Sequence, residues 1–145
     1  MTLIAALTFL ILAVIAALHF AWAMGSTFPA ADAAELSRIV TGFKRRDLMP
    51  GKPATLLVSV AVLLAGFWAL VLAEWAWLPV PNWFVAFGGI VLTAVFLVRG
   101  IAGYTDRWRQ LTPEQPFARL DRKYYSPLCL VLGLFFIILT LGYML

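Results

Sequence analysis

The last twenty residues of the chain, SPLCLVLGLFFIILTLGYML (residues 126–145), contain no charged side chain. A helix that rises 1.5 Å per residue needs about 20 apolar residues to cross the hydrocarbon core of a bilayer. No water is available inside that core, so the backbone must satisfy its own N–H and C=O groups by forming a helix. The stretch therefore predicts a transmembrane helix, and it indicates the fold class of the whole chain.

Three further segments have the same apolar character, at about residues 1–24, 54–78 and 83–104. Overall, 63% of the 145 residues are apolar and 12% are charged, whereas a soluble domain is roughly 45–50% apolar and 25% charged. We therefore expect an all-α integral membrane four-helix bundle that forms a single domain. The long connections lie at about 25–53 and 105–125. The strongly polar side chains of the first three segments are, in order, His19, Glu74 and Arg99.

The charges of the connections predict an orientation. The short connection at 79–82 is uncharged, whereas the two long connections are rich in Lys and Arg. Four spans place both long connections on one side, and the positive-inside rule makes that side cytoplasmic. We therefore expect both termini outside, in a bacterial inner membrane. The cations concerned are Arg38, Lys44, Arg45, Arg46, Lys52, Arg107, Arg109, Arg119, Arg122 and Lys123.

The first long connection contains an amphipathic pattern. Asp32 and Glu35 have the spacing of a capping box, and an apolar stripe with helical spacing follows, formed by Leu36, Ile39, Val40 and Phe43. A short helix is predicted here. Its stripe either lies on the inner leaflet or packs against the protein's own helices, and the pattern does not separate these alternatives. Anionic lipid headgroups are the expected partners of Arg38, Lys44, Arg45 and Arg46.

Two weaker patterns concern helix ends and helix contacts. In the second long connection, Thr112-Pro113-Glu114-Gln115 predicts a helix start. On the second span, small residues recur every fourth position, a spacing that lets helix backbones approach closely. The stripe predicts a contact with another helix of this chain, with a second copy or with another membrane subunit. Its members are Ala61, Ala65, Ala69 and Ala73.

Topology places several polar and aromatic residues together at the predicted cytoplasmic end of the bundle. In a functional interpretation they form a ligand pocket in which Arg99 holds an anionic headgroup or carboxylate and His19 exchanges a proton. In a structural interpretation Arg99 snorkels, Asp121 pairs with Arg99 or Arg122, and His19 bonds Ser126 or a tyrosine hydroxyl. Polar residues near span ends commonly act as anchors, which favours the structural interpretation. The candidates are His19, Trp22, Arg99, Tyr104, Asp121, Tyr125 and Ser126.

Several classes of activity are disfavoured by what the sequence contains. The single cysteine, Cys129, excludes a disulfide framework and the membrane thiol–disulfide oxidoreductases. One histidine does not supply the two axial ligands of a membrane haem b, and no zinc-ligand cluster or phosphate-binding motif occurs. We therefore predict no catalytic residues, no cofactor and no metal. The basic loops are membrane-side charge, so nucleic acid is not an expected partner.

Four stretches occur in an order and spacing that resemble a known family. They are LHFAWAMG (18–25), MPGKPAT (49–55), FLVRGIAG (96–103) and FARLDRKYYSPLC (117–129). Together they resemble the bacterial membrane proteins grouped as domain of unknown function 3995 (DUF3995). The run from Asp121 to Cys129 is the most specific part of the resemblance, and the run from His19 to Gly25 is the next. The resemblance implies a four-span bundle and supplies no activity.

From these features we expect a non-enzymatic accessory or assembly subunit of a larger membrane complex, because the chain is small, has small-residue helix faces and has no recognisable reactive constellation. The alternative is an enzyme or carrier for a lipid or small amphipathic ligand, with an inner-leaflet pocket around His19 and Arg99. A channel would require oligomers, since one copy has few polar helix faces.

Overall fold

The computed structural model describes residues 1–44 and 49–145. In that part of the chain the regular structure is helical, and four helical segments are long and apolar enough to cross a membrane. The predicted all-α, four-span bundle is confirmed. The helices are α1 (Thr2–Ala23), α2 (Ala33–Val40), α3 (Lys52–Leu72), α4 (Asn82–Ala102), α5 (Asp106–Leu111), α6 (Phe117–Leu120) and α7 (Ser126–Met144), with a π-helical segment, Asp121–Tyr125, between α6 and α7.

The four long helices form two closely packed pairs, α1 with α3 and α4 with α7. The pairs meet along α3 and α4, with further contacts from α7 to α1 and α3. One apolar core joins the two pairs, and it includes Leu12 of α1, Leu72 of α3, Val85 of α4 and Phe136 of α7. We call the end of the bundle where α1 and α4 finish and α3 and α7 begin the polar end.

Small residues bring α1 and α3 together. A Cβ atom on Gly66 would lie 3.3 Å from the Cβ atom of Leu12, and the hydroxyl of Ser59 donates a hydrogen bond of 2.7 Å to the carbonyl of Ala16. Ala65 and Ala69 are buried in the same core as Leu12. The small-residue stripe of α3 therefore contributes to a contact within this chain.

Glycine and aromatic stacking define the contact of α4 with α7. A Cβ atom on Gly133 would lie 2.6 Å from the Leu97 side chain. One turn away, the rings of Phe96 and Phe136 stack with centroids 5.5 Å apart and planes 8° apart. The glycine lets the two backbones approach, and the stacked rings fill the space beside it.

The first long connection contains the predicted amphipathic helix, α2. The Asp32 carboxylate accepts from the backbone N–H of Glu35 at 2.8 Å, and the Glu35 carboxylate accepts from that of Ala31 at 2.7 Å. Leu36 is 1% exposed and α2 contacts α6, so this part of the stripe packs on the protein. Phe43 lies beyond the end of α2 and is 38% exposed. Arg45 and Arg46 lie outside the described residues.

The helix α3 ends at Leu72, although the apolar run that predicts the span continues to residue 78. Glu74 takes a left-handed backbone conformation with φ 61°. The N–H of Trp75 then bonds the carbonyl of Leu70 at 2.9 Å, and the N–H of Glu74 bonds that of Val71 at 3.0 Å. This pair of bonds is a Schellman motif, which closes a helix whatever the hydropathy of the following residues.

The prediction of a helix start at Thr112 is wrong. Thr112 follows α5, and its backbone N–H and its hydroxyl both donate to the carbonyl of Trp108 at 2.9 Å. One helix, α5, starts before this position, because the hydroxyl of Thr105 accepts from the backbone N–H of Trp108 at 3.3 Å and caps it. The next helix, α6, starts after it, at Phe117. Two threonines seven positions apart thus flank α5, and the helix start was predicted from the second, whereas the first is the cap.

Replacing Glu74 with glycine should stabilise the protein. A left-handed conformation costs a residue with a Cβ atom about 1 kcal/mol, and glycine avoids this cost. We expect Glu74→Gly to raise the free energy of unfolding by about 1 kcal/mol, measured by titrating detergent micelles with sodium dodecyl sulfate. Glu74→Ala removes the charge but keeps the Cβ atom, and it is the matched control. Equal stability of the two variants would contradict this account of the α3 terminus.

Candidate functional site

A buried carboxylate organises the polar end of the α4–α7 pair. Asp121 is 0% exposed. Its Oδ1 atom accepts from Arg99 Nη2 at 2.6 Å and from the Ser126 hydroxyl at 3.3 Å. Its Oδ2 atom accepts from Trp108 Nε1 at 3.0 Å and from Arg109 Nη2. We call these five residues the Asp121 cluster. Donors from α4, α5 and α7 thus converge on one carboxylate.

The π-helical segment and a glycine allow this convergence. The N–H of Ser126 bonds the carbonyl of Asp121, five positions earlier, so the two side chains lie on the same side of the helix. Gly103, just after α4, faces them, since a Cβ atom there would lie 1.6 Å from the Ser126 hydroxyl and 3.2 Å from Asp121 Oδ2. No side chain larger than hydrogen fits at position 103 without displacing the cluster.

The two arginines differ in their surroundings. The Arg99 guanidinium lies 4.7 Å from the centroid of the Trp108 ring, and its side chain is 30% exposed. The Arg109 side chain is 21% exposed, and its Nη1 donates to the carbonyl of Ala118 at 2.7 Å. Its buried Nε finds no hydrogen-bond partner in the described part of the chain. Of the two alternatives in the structural interpretation, Arg99 or Arg122, the structure pairs Asp121 with Arg99, and Arg109 is a second partner that was not predicted.

His19 belongs to a separate group of contacts on α1. Its Nδ1 atom lies 2.8 Å from the carbonyl oxygen of Ile15, one turn earlier. The His19 and Trp22 rings are 4.9 Å apart, and Trp22 Nε1 donates to the carbonyl of Phe28 at 2.7 Å. The structural interpretation predicted that His19 bonds Ser126 or a tyrosine hydroxyl. For Nδ1 this prediction is wrong, because Nδ1 bonds a carbonyl of its own helix instead.

A cleft opens beside His19 at the polar end of the α1–α3 pair. It has a volume of about 290 Å³, and α1, the end of α2 and the start of α3 contribute to its wall. Most of the lining is apolar, with a few polar groups at the rim. We call it the His19 cleft. Its described lining residues are His19, Trp22, Val40, Thr41, Met49, Pro50, Ala54, Thr55 and Val58.

The seven predicted site residues thus divide into two groups. Arg99, Asp121 and Ser126 share the Asp121 cluster, while His19 and Trp22 line the cleft. The other two are tyrosines. Tyr104 is exposed and donates to the carbonyl of Arg122 at 3.3 Å. Tyr125 is half-buried and donates to the carbonyl of Ile39 in α2 at 3.2 Å, which connects the two groups through α2.

A comparison with family models identifies the chain. The family described as "Protein of unknown function (DUF3995)" matches residues 12–136. The chain belongs to this family. The matched range includes every residue of the Asp121 cluster and of the His19 cleft. Comparisons with curated proteins and with solved structures gave no match.

Sequence reasoning missed two residues of this DUF3995 protein's Asp121 cluster, Trp108 and Arg109, and two polar residues of its cleft, Thr41 and Thr55. Thr105 was the available signal for the first pair, because a threonine cap places Trp108 and Arg109 in the first turn of α5. Thr55 ends the stretch MPGKPAT, which was noted only for the family resemblance, and no pattern in the sequence connects it with Thr41. Residues 1–44 and 49–145 contain no group of three His, Cys, Asp or Glu side chains placed to hold a metal.

Removing the charge of Asp121 should destabilise this DUF3995 protein strongly. The change leaves two partly buried guanidinium groups without their anion, and breaking a buried ion pair from one side costs roughly 3–5 kcal/mol. We expect Asp121→Asn to lower the free energy of unfolding in micelles by about that amount, and to expose the connection around residues 105–116 to protease. Arg122→Gln, at an exposed neighbouring position, is the control and should change little.

Two results would contradict the role assigned to the cluster. One is wild-type stability of Asp121→Asn. The other is additivity in a double-mutant cycle of Asp121→Asn with Arg99→Gln, since residues in one ion-pair network should show a coupling energy above about 0.5 kcal/mol.

Proposed function

We propose that this DUF3995 protein is a non-catalytic binding protein or carrier that takes a lipid or other small amphipathic molecule into the His19 cleft. The observation that carries the proposal is the cleft itself, an opening of about 290 Å³ at the polar end of α1 and α3. Small-molecule sites are concave and mostly apolar, with a few polar groups that orient the ligand. The cleft has this composition, with apolar Val40, Met49 and Val58 beside His19 and the two threonines.

The position of the cleft favours an amphipathic ligand. It lies where apolar spans give way to the polar connections, so a molecule with an apolar tail and a polar head would have each part in a matching environment. Trp22 supports this placement, because tryptophan favours the interface between hydrocarbon and water. Exposed apolar side chains such as Leu57, Val58 and Leu64 continue along α3, and they would leave the tail in contact with lipid.

The Asp121 cluster is better suited to holding the fold than to binding or chemistry. Four donors from the described residues already engage the two oxygens of Asp121, which leaves it poorly placed to move a proton. Arg99 is paired with that carboxylate and covered on one side by Trp108. The proposal therefore assigns the ligand to the cleft and does not use Arg99 as an anion holder.

The accessory or assembly subunit stays a prediction. It rested in part on the small-residue stripe of α3, and two members of that stripe, Ala65 and Ala69, are buried in the chain's own core. No contact of the described residues favours a protein partner over the ligand.

We further propose that the polar end faces the cytoplasm of a bacterial inner membrane. The support is the distribution of charge. The described cations of the connections, among them Arg38, Arg107 and Arg119, lie on segments at the polar end, whereas the connection at 79–82 carries none. Retention of positive loops on the cytoplasmic side is the general behaviour of multi-span proteins.

Labelling of single cysteines tests this orientation. In a Cys129→Ser background, Pro79→Cys should react with a membrane-impermeant maleimide added to intact cells, because its loop would face outward. Asp106→Cys, at an exposed position of the polar end, should react only after the cells are opened. The reverse pattern would overturn the proposed orientation while leaving the fold unaffected.

Photo-crosslinking tests the proposed ligand site. We expect a photoactivatable long-chain alcohol, added to the protein in phosphatidylcholine nanodiscs, to label residues of the cleft such as Met49 and Val58 in a saturable manner. Ala54→Trp should remove most of this labelling, because Ala54 lines the cleft and a large side chain there would fill it. Val60→Trp is the matched control, since Val60 is exposed on α3 but does not line the cleft.

Peptide mapping by mass spectrometry reads out both variants. Labelling spread evenly over the exposed faces of α3 and α4, and unchanged in Ala54→Trp, would show that the probe meets the protein only as bulk lipid. That result would overturn the proposed binding function.

A further inference from the structure

The side-chain hydrogen-bond donors that line the His19 cleft are already engaged by backbone carbonyls. The Thr41 hydroxyl donates to the carbonyl of Ser37 at 2.8 Å. The Thr55 hydroxyl lies 3.2 Å from the carbonyl of Pro50 and 3.3 Å from that of Gly51. The indole N–H of Trp22 also donates to a carbonyl, at 2.7 Å. A hydroxyl carries one hydrogen and an indole one N–H, so none of these side chains has a hydrogen left for a ligand.

His19 completes this pattern and adds an acceptor. Its Nδ1 atom lies 2.8 Å from the carbonyl oxygen of Ile15. A carbonyl oxygen can only accept, so Nδ1 carries the hydrogen, and in the neutral ring Nε2 carries the lone pair. The hydrogen bond that the described residues, 1–44 and 49–145, make with the His19 ring is at Nδ1, and none of them bonds Nε2. The contact inside α1 therefore assigns the hydrogen of the neutral ring to Nδ1 and leaves Nε2 as the acceptor of a side chain that lines the cleft.

We propose that the ligand of the His19 cleft is a hydroxyl-bearing amphiphile, such as a long-chain alcohol, a phenol or a hydroquinone, whose O–H donates to His19 Nε2. Its apolar part would pack against Trp22, Val40 and Val58. This inference rests on the proposed function and narrows it to a chemical class. It predicts discrimination against molecules of the same shape that can only accept, such as ethers and quinones.

Charged head groups fit the cleft less well. A carboxylate only accepts, and the side-chain donors of the described lining are already engaged. An ammonium group carries three donors and a charge, and the described lining contains no carboxylate to balance it. A hydroxyl both donates and accepts.

A pair of competitors that differ by one hydrogen-bond donor tests the inference. The photoactivatable alcohol is bound to wild-type protein in nanodiscs and displaced by hexadecanol or by its methyl ether. We expect half-displacement at an alcohol concentration about tenfold lower than that of the ether, the usual effect of one hydrogen bond made in a desolvated site. In His19→Leu this advantage should disappear, while the weaker competition by the ether should persist.

A second variant tests whether the loss in His19→Leu comes from removing the hydrogen-bond acceptor or from disturbing the fold. In His19→Gln the side-chain amide can place an oxygen near the position of Nε2, and we expect it to restore part of the preference for the alcohol. The ratio of the two half-displacement concentrations, ether to alcohol, is also measured in His19→Leu. It corrects for the different partition of the two competitors into the bilayer. Persistent ether competition in that variant shows that the cleft is intact.

The possible failures are distinguishable. Equal displacement by alcohol and ether in the wild type, with labelling still confined to the cleft, would overturn the hydroxyl inference and leave the binding function standing. A preference for the alcohol that survives in His19→Leu would assign the acceptor to another group and also overturn the inference. Absence of saturable labelling at the cleft would overturn the proposed function itself.

Discussion

The burial of one carboxylate constrains the polar end of this protein. An ionised side chain removed from water must be paired and hydrogen-bonded, because an unpaired buried charge costs several kcal/mol. Asp121 meets this requirement only when Arg99 of α4 and the α5 residues Trp108 and Arg109 reach it together. The second long connection is consequently folded back against the bundle, and the end of α4 is held beside the start of α7.

The two helix pairs differ in how their polar ends are closed. The α4–α7 end is filled by charged and aromatic side chains, whereas the α1–α3 end keeps an open cleft. The two ends are connected through the long connections. The backbone N–H of Glu114 bonds the carbonyl of Gly42 at 3.2 Å, and the Phe117 side chain lies directly against Gly42. The Tyr125 hydroxyl reaches α2. Through these contacts, the filled α4–α7 end supports one wall of the cleft.

The sequence was most informative where a single physical requirement dominates. Long apolar runs predict spans because lipid permits few other structures, and the Asp32 cap predicts α2 because its bond is local. Topology and opposite charge also limited the predicted partners of Asp121 to Arg99 or Arg122, and the structure shows Arg99. The end of α3 did not follow, because the conformation of Glu74 closes the helix inside an apolar run.

The predicted site residues divide between the Asp121 cluster and the His19 cleft because of local bonds that the sequence does not reveal. Topology indicates which end of the bundle a residue occupies, but it does not indicate which neighbour it bonds. His19 bonds the carbonyl of Ile15, and any histidine within a helix has such a carbonyl one turn away, so no pattern in the sequence marks the choice. Trp108 and Arg109 were missed because the helix of this connection was predicted to start at Thr112, whereas α5 lies before that residue and directs both side chains to one carboxylate.

The π-helical segment at Asp121–Tyr125 also sets the rotation of the last span. An α-helix turns about 100° per residue, and a π turn accommodates one residue more than an α turn. That additional residue sets the rotation of α7 about its own axis, and so it fixes which side of α7 faces α4. If the same residues were wound as an α-helix, every later residue would be turned by about 100° relative to Asp121, so that Gly133 and Phe136 would face away from their partners on α4. The π winding of this short segment, as much as its composition, therefore determines how the last span fits the bundle.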